Sequence, residues 1–217
     1  MRLFIAAIIA IIFVIPGYGQ SLKKVRLNEE DRKSGVYLKF IYSEDYGFIS
    51  LVFKKDSTYA YYQRGCATYS RSEGRWRKVN GVFVLESTFK EDNVPVELLD
   101  SVNGKYVDSC DIAIMYDAKQ KVLTEAYVLI NNDSTVCLPD LGGCNRPYGT
   151  INRVKVKFYN GISSMWVPIK PGTRKVHLRV LAEMPLWDYM VMDRWTFKIK
   201  RRLFKPTVIK RNINGDK

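Results

Sequence analysis

Short apolar stretches alternate with turn-forming residues along the first half of the chain. Their spacing is that of an antiparallel β-meander, with Gly, Asp and Asn between the strands. The strand-like stretches are residues 36–42, 48–53, 58–63, 68–71, 75–78 and 82–87. Asn80-Gly81 between the last two stretches predicts a tight hairpin, because both residues tolerate the positive φ of a primed two-residue turn. A meander or small barrel is therefore expected over residues 35–92.

The pattern of apolar and turn-forming residues changes at a polar stretch around residues 91–93, where we place a domain boundary. Further strand-like stretches follow, at residues 96–99, 111–116, 122–130, 151–159, 165–169, 176–181 and 195–199. No stretch shows helical periodicity for more than about two turns. The predicted fold class is all-β: an antiparallel β-meander or small barrel, followed by a β-sandwich over residues 93–211. The charged residues 20–34 predict a flexible lead-in, and residues 212–217 a disordered tail.

The chain opens with the pattern of a secretory signal peptide. A basic Arg2 precedes an apolar run over residues 3–15, and Gly17 and Gly19 supply the small side chains that a signal peptidase requires. A membrane anchor is the alternative, but the run is shorter than the roughly 20 apolar residues that cross a bilayer as a helix. We therefore predict cleavage after Gly19 and a secreted or periplasmic protein.

The charge balance points to anionic partners. Lys and Arg total 35 against 22 Asp and Glu, and the formal net charge is +13. Outside the cytoplasm this charge favours an acidic glycan, a lipid surface or an envelope protein as the partner, because nucleic acid is scarce there. Plain solubility explains the same charge. The sequence leaves the oligomeric state open.

Four cysteines in an oxidising compartment allow three ways of forming two disulfides. Cys137 and Cys144 enclose a turn-rich loop and are the first predicted pair, which leaves Cys66 and Cys110 as the second. A zinc site is not expected, because the cysteine spacings are wide and the only histidine, His177, is distant in sequence. No other cofactor is predicted.

Part of the second half resembles a known family. The stretches that carry the resemblance are residues 96–101, 103–107, 110–114, 151–161, 165–169 and 176–180. Over residues 94–182 they resemble the carboxypeptidase regulatory-like, or transthyretin-like, β-sandwich of exported bacterial proteins, with a long insert around residues 137–148 that departs from the family's compact form. The first half is loosely similar to small lipocalin-like barrels. The resemblance implies an accessory, folding or binding module and supplies no active site.

Catalytic motifs are absent from the sequence. His177 alternates with Lys175 and Arg179 on a predicted strand, which places it on the solvent face. No nucleophile elbow, phosphate-binding glycine loop or metalloprotease motif occurs. We therefore predict that the protein is not an enzyme. The alternative is a hydrolase that uses pairs of carboxylates; the candidate pairs are Glu29 with Glu30, Glu91 with Asp92, and Asp108 with Asp111.

Two clusters combine cations with aromatic or apolar residues and are the candidate binding regions. The first contains Tyr59, Tyr61, Arg71, Arg75 and Trp76, with Tyr62 and Tyr69 among them. Its flat rings and cations suit stacking on sugars and contact with anionic groups, although strand aromatics also fill cores. The second contains Lys200, Arg201 and Arg202. It suits an anionic surface, and it equally suits a solvated strand edge protected by its charges.

These features favour an exported, non-catalytic β protein that binds an anionic or glycan ligand, or a protein partner, at the cell envelope. The secreted hydrolase is one alternative. A structural component of the envelope that offers strand edges to a partner is another.

Overall fold

The computed structural model describes residues 22–103, 113–138, 143–200 and 203–207. The elements at the start of the chain are β1 (Leu22–Lys24), α1 (Glu29–Lys33), β2 (Val36–Glu44), β3 (Gly47–Lys54), β4 (Thr58–Gly65), β5 (Tyr69–Val79) and β6 (Val82–Ser87). Those in the middle are β7 (Val96–Asn103), β8 (Ala113–Tyr116), β9 (Ala126–Ile130), β10 (Val136–Cys137), β11 (Arg153–Phe158), β12 (Val167–Pro168) and β13 (Thr173–Val180). The last two are β14 (Thr196–Lys200) and β15 (Leu203–Thr207). The predicted all-β class is confirmed.

Eight strands form a closed antiparallel barrel in the order β1-β15-β14-β6-β5-β4-β3-β2. The ring closes through β1, in which Lys23 pairs with Ile41 of β2 and with Leu203 of β15. The predicted hairpin between β5 and β6 is also confirmed, because Asn80 and Gly81 adopt φ values of 50° and 80°.

Aromatic and aliphatic side chains fill the barrel. Alternate residues of each strand point inward, and Phe40, Leu51, Phe53 and Leu85 are fully buried. The Phe53 ring lies 5.0 Å from the ring of Phe83 and contacts Phe40 edge to face. Each such side chain contributes about 1.5–3 kcal/mol through burial, so the interior is a packed core.

Two further sheets pack against each other as a β-sandwich. One has the strand order β10-β9-β11-β12, and the other has the order β7-β13-β8. Inward-facing residues of both sheets, such as Val128, Val156 and Leu178, belong to a single buried cluster. This cluster is separate from the core of the barrel.

The segment predicted to be a flexible lead-in contains β1 and α1 from Leu22 onward. Leu22 is buried in the barrel core. Asn28 caps α1 by accepting a hydrogen bond from the backbone N–H of Asp31, whose carboxylate accepts one from the N–H of Asn28 in return. Lys39 of β2 lies 2.8 Å from Asp31 and lowers the pKa of that carboxyl. A strand partner, a cap and an ion pair thus hold a segment that lacks apolar periodicity.

The strands of the predicted sandwich-like domain, residues 93–211, are divided between the sandwich and the barrel. The chain leaves the barrel after β6, forms the sandwich and returns to the barrel as β14 and β15. Phe197 of β14 pairs with Phe83 of β6 and is buried in the barrel core. The sandwich is therefore an insertion in the barrel sequence.

The predicted signal peptide and the predicted disordered tail lie outside the described residues. Among the residues that are described, no helix is long and apolar enough to span a membrane.

Candidate functional site

The outer face of the barrel carries a regular pattern of rings and guanidinium groups across β3, β4 and β5. Core residues such as Ile49 and Tyr59 face inward on these strands, so their sequence neighbours face outward. One cross-strand row on the outer face is Phe48, Arg64 and Tyr69, and the next is Ser50, Tyr62 and Arg71. Rings and cations therefore alternate on this surface.

Four rings form a continuous line on this face, which we call the aromatic row: Phe48, Tyr62, Tyr69 and Trp187. Ring centroids are separated by 6.1 Å for Phe48 and Tyr62, and by 5.1 Å for Tyr62 and Tyr69, which meet edge to face. Trp187 is stacked against Tyr69 at 6.1 Å. Phe48 is 36% exposed and Trp187 is 46% exposed. The two ends of the row are thus open to solvent.

Trp187 lies in the row because the segment that returns from the sandwich pairs with the part of β5 that β6 leaves unpaired. The pairing of β6 with β5 starts at Gly74, so the preceding part of β5 has no β6 partner. The segment around Asp188 runs along this free edge. The N–H of Arg71 donates to the carbonyl of Asp188 at 3.0 Å, and the N–H of Met190 donates to the carbonyl of Arg71 at 2.7 Å. The site thus combines the barrel with the chain that comes back from the sandwich.

An ion pair between Arg71 and Asp188 anchors this junction. Arg71 Nε donates to Asp188 Oδ2 at 2.8 Å, and the Asp188 side chain is 0% exposed. Oδ1 of the same carboxylate is buried without a hydrogen-bond partner among the described residues. Arg71 also donates from Nη2 to the Tyr69 hydroxyl at 3.1 Å, with its guanidinium carbon 5.0 Å from the centre of that ring. Its contacts with Asp188 and Tyr69 therefore fix the orientation of the Arg71 guanidinium group.

The ring of Tyr69 remains uncharged at neutral pH. Its hydrogen bond with Tyr62 raises the pKa of the Tyr69 phenol, and desolvation adds to the rise, while the Arg71 charge lowers it. The phenol therefore keeps its proton in physiological conditions, and the row presents neutral ring faces beside cations.

The aromatic residues of the predicted first cluster lie on two different faces of the barrel wall, some toward the core and some toward the outside. Tyr59 is 2% exposed and lies in the barrel core, where its hydroxyl contacts the hydroxyls of Ser72 at 3.0 Å and Ser87 at 3.2 Å. Tyr61 also faces the core, and its hydroxyl donates to Gln63 Oε1 at 2.7 Å. Both rings occupy inward positions of β4, apart from the outward-facing aromatic row, and Tyr59 also lines a groove that includes Arg75.

Trp76 also packs against the barrel core. Its indole N–H donates to the carbonyl of Lys54 at 3.0 Å, and its ring lies edge to face with that of Phe53. The other side of the indole is stacked on Tyr37, with the ring centroids 5.6 Å apart. Trp76 thus packs between the barrel core and Tyr37, away from the aromatic row.

Arg75, another residue of the predicted cluster, lies on the outer face of β5, away from the aromatic row. It lines a groove of about 600 Å³ together with both basic and acidic side chains. The charged residues of this groove are Lys54, Asp56, Glu73, Arg75, Glu86 and Lys90. The mixture of signs leaves the groove without a strong preference for an anion. Of the predicted first cluster, the structure therefore places Tyr62 and Tyr69 in the aromatic row and Arg71 beside it.

The basic C-terminal cluster is only partly described. Lys200 pairs with Leu203 in the β14–β15 hairpin, and Arg201 and Arg202 lie outside the described residues. His177 lies on β13 between the buried Val176 and Leu178, so its predicted outward position is confirmed.

Cys137 and Cys144 form a disulfide, as predicted. Cys66 is an exposed free thiol, and its predicted partner Cys110 lies outside the described residues. One of the two expected disulfides is therefore present in the described part of the chain. The same residues contain no group of three or more His, Cys, Asp or Glu side chains that could hold a metal ion.

The carboxylate pairs considered for a hydrolase have other contacts where they are described. Glu29 and Glu30 lie in the first turn of α1, and Glu29 pairs with Lys33 at 2.8 Å. Asp92 accepts a hydrogen bond from the Ser163 hydroxyl at 3.0 Å. Asp108 and Asp111 lie outside the described residues.

Sequence reasoning missed Phe48, Trp187 and Asp188. Both faces of β3 are rich in apolar residues, so alternation could not show which side Phe48 takes. Trp187 and Asp188 lie in an irregular segment whose large side chains indicate burial, and their meeting with β5 is a long-range contact with no local signal.

Comparisons with models of known protein families, with curated proteins and with solved structures found no match to this chain. The resemblance of residues 94–182 to the transthyretin-like sandwich, and of the first half to lipocalins, therefore stays a prediction.

Proposed function

We propose that this chain is an exported, non-catalytic protein that binds an acidic glycan at the cell envelope through the aromatic row and its neighbouring arginines. The observation that carries the proposal is the outward-facing line of four rings with Arg64 and Arg71 beside it.

The aromatic row supplies flat, weakly polar surfaces. Sugar rings present one face of C–H groups, which pack well on aromatic rings, while their hydroxyls remain at the edge for hydrogen bonds. Trp187 and Phe48, at the two ends, are the most open members. The row runs across three strands and one added segment, so it can follow several sugar units of a chain.

The neighbouring arginines favour a ligand with carboxylate or sulfate groups. Arg64 is exposed and directly opposite Tyr69, and no described residue forms an ion pair with it. Arg71 is held in place by Asp188 and Tyr69. A guanidinium fork binds carboxylates and related anions bidentately. The formal net charge of +13 brings anionic polymers toward the protein in solution.

Binding of trigalacturonate, measured by calorimetry, tests this proposal, with maltotriose as the neutral control ligand. We expect Trp187→Ala and Arg64→Gln each to weaken the binding of the acidic trisaccharide about 2- to 13-fold, since a lost ring or charge contact contributes about 0.5–1.5 kcal/mol. High salt should weaken binding further.

Two control variants remove the same kinds of side chain, one aromatic ring and one guanidinium group, from outside the aromatic row and its neighbouring arginines. Tyr37 has an exposure of 44% against 46% for Trp187, so Tyr37→Ala removes a comparable barrel ring outside the row. Arg77→Gln removes an exposed barrel cation that belongs to a pair with Glu86. Equal losses in the test and control variants, or equal affinity for both trisaccharides, would refute the proposal.

A further inference from the structure

The sandwich carries a second basic surface, on the outer face of its four-stranded sheet. Val154, Val156 and Phe158 of β11 are buried in the sandwich core. The alternate residues Arg153, Lys155 and Lys157 therefore point to the opposite side. Three cations thus follow one another along a single strand, at intervals of about 6.4–6.8 Å.

Arg153 is held in a geometry that suits an anion. Its Nε donates to the carbonyl of Asn131 at 2.9 Å, and its guanidinium carbon lies 4.4 Å from the centre of the Trp166 ring. These contacts fix the plane of the guanidinium group. The terminal nitrogens form a directed fork, the geometry in which arginine binds carboxylates and phosphates.

The other end of the same strand adds a lysine and exposed rings. Lys157 lies opposite Tyr127 of β9, and the rings of Tyr127 and Tyr159 are 5.6 Å apart. Tyr159 is 67% exposed. Between the two ends, Lys155 Nζ lies 3.5 Å from Asp92 Oδ1 and the Lys155 side chain is 17% exposed, so this cation contributes little to the surface.

We propose that this face binds a linear acidic glycan, and that the protein thereby bridges two such chains, one on the barrel and one on the sandwich. Charge complementarity selects the occupant. Arg153 and Lys157, which form no ion pair with a described residue, lie four residues apart on β11, about 13 Å. This separation matches a polymer with repeating carboxylates better than a single small ion, and the flanking rings of Trp166 and Tyr159 match its sugar units. The two faces share no residue and lie on different sheets. The bridging step rests on the function proposed above, whereas the sandwich surface stands on its own contacts.

Bridging predicts a behaviour that one-site binding cannot give. A protein with two separate sites links long chains into large aggregates, and short oligomers block this without changing the protein. Mixing the full-length protein with long polygalacturonate should therefore raise light scattering. An excess of trigalacturonate should reverse the rise.

The test compares two double variants of equal net charge. Arg153→Gln with Lys157→Gln removes the proposed site, and Lys170→Gln with Arg174→Gln removes two exposed cations of the sandwich that do not lie on β11. We expect the first variant to lose at least about 80% of the scattering and to bind trigalacturonate at one site instead of two. The second variant should scatter as the wild type does. Circular dichroism and the unfolding midpoint show whether each variant is folded.

The outcomes separate the two proposals. If the Arg153/Lys157 variant still bridges chains, or if both double variants lose scattering equally, the sandwich site is refuted. If the wild type binds trigalacturonate at a single site that Trp187→Ala does not affect and Lys157→Gln does, the barrel function fails while the sandwich site survives. Loss of one site with Trp187→Ala and of the other with Lys157→Gln supports both.

Discussion

Replacing Arg71 and replacing Asp188, the two members of the buried ion pair, should lower the free energy of unfolding by very different amounts. The Asp188 side chain is completely buried, and one of its oxygens has no hydrogen-bond partner among the described residues. The Arg71 side chain is 28% exposed. We therefore compare two variants. Arg71→Met leaves the buried Asp188 carboxylate without its cation, whereas Asp188→Asn leaves the Arg71 guanidinium, which water can reach.

The structure gives the order of magnitude of both effects. Removing one partner of a buried pair costs about 3–5 kcal/mol when the remaining charge is uncompensated, and this applies to Arg71→Met. In Asp188→Asn the amide oxygen can still accept the hydrogen bond from Nε, and water can reach the guanidinium. A loss of about 1–2 kcal/mol is expected there. The two backbone hydrogen bonds of Arg71 to the returning segment survive in both variants.

Urea unfolding of both single variants and of the double variant measures these free energies. The double variant contains no unpaired buried charge, so its loss should be smaller than the sum of the single losses by about 1–3 kcal/mol. The reasoning is refuted if Arg71→Met costs no more than Asp188→Asn, or if the two losses simply add.

Two further predictions concern the barrel. Gly74→Ala should lower the free energy of unfolding by about 1–3 kcal/mol through overpacking, because a Cβ there would overlap the backbone carbonyl oxygen of Glu86 in β6. Gly47→Ala is the control, since its Cβ would lie 3.9 Å from the nearest atom. Equal unfolding midpoints for the two variants would contradict this prediction. Burial raises the pKa of Tyr59 from 10.0 to about 12, so its neutral phenol stabilises the folded state in full below pH 10, and this contribution is lost as the pH rises toward 12. The stability difference between the wild type and Tyr59→Phe should therefore shrink by about 2–3 kcal/mol across that interval, and a constant difference in alkaline unfolding curves would show that Tyr59 is not protected.

Local patterns predicted much of the fold. The all-β class, the Asn80-Gly81 hairpin and the Cys137–Cys144 disulfide follow from turn chemistry and spacing over a few residues, and all three are present. These features depend on contacts close in sequence, which short patterns record. The outward position of His177 follows from simple alternation in the same way.

Long-range pairing was beyond the reach of these patterns. Leu22 closes the barrel by pairing with Phe204, and no local feature of the charged lead-in indicates this contact. The side of the barrel that each aromatic residue faces was equally hidden. Tyr59, Tyr61 and Tyr62 are nearly adjacent in sequence, and a shift of one residue in register exchanges the core for the surface.

The insertion of the sandwich explains why the candidate site exists. A barrel whose β6 paired with the whole of β5 would have no place for another chain beside Tyr69 and Arg71. Because the chain departs after β6, that edge remains free for the returning segment, which brings Trp187 onto the outer face and places Asp188 against Arg71. The contacts that join the two parts of the fold are thus the same contacts that extend the aromatic row. A change that loosens the junction should therefore also weaken the proposed glycan binding on the barrel, even when it touches none of the exposed rings.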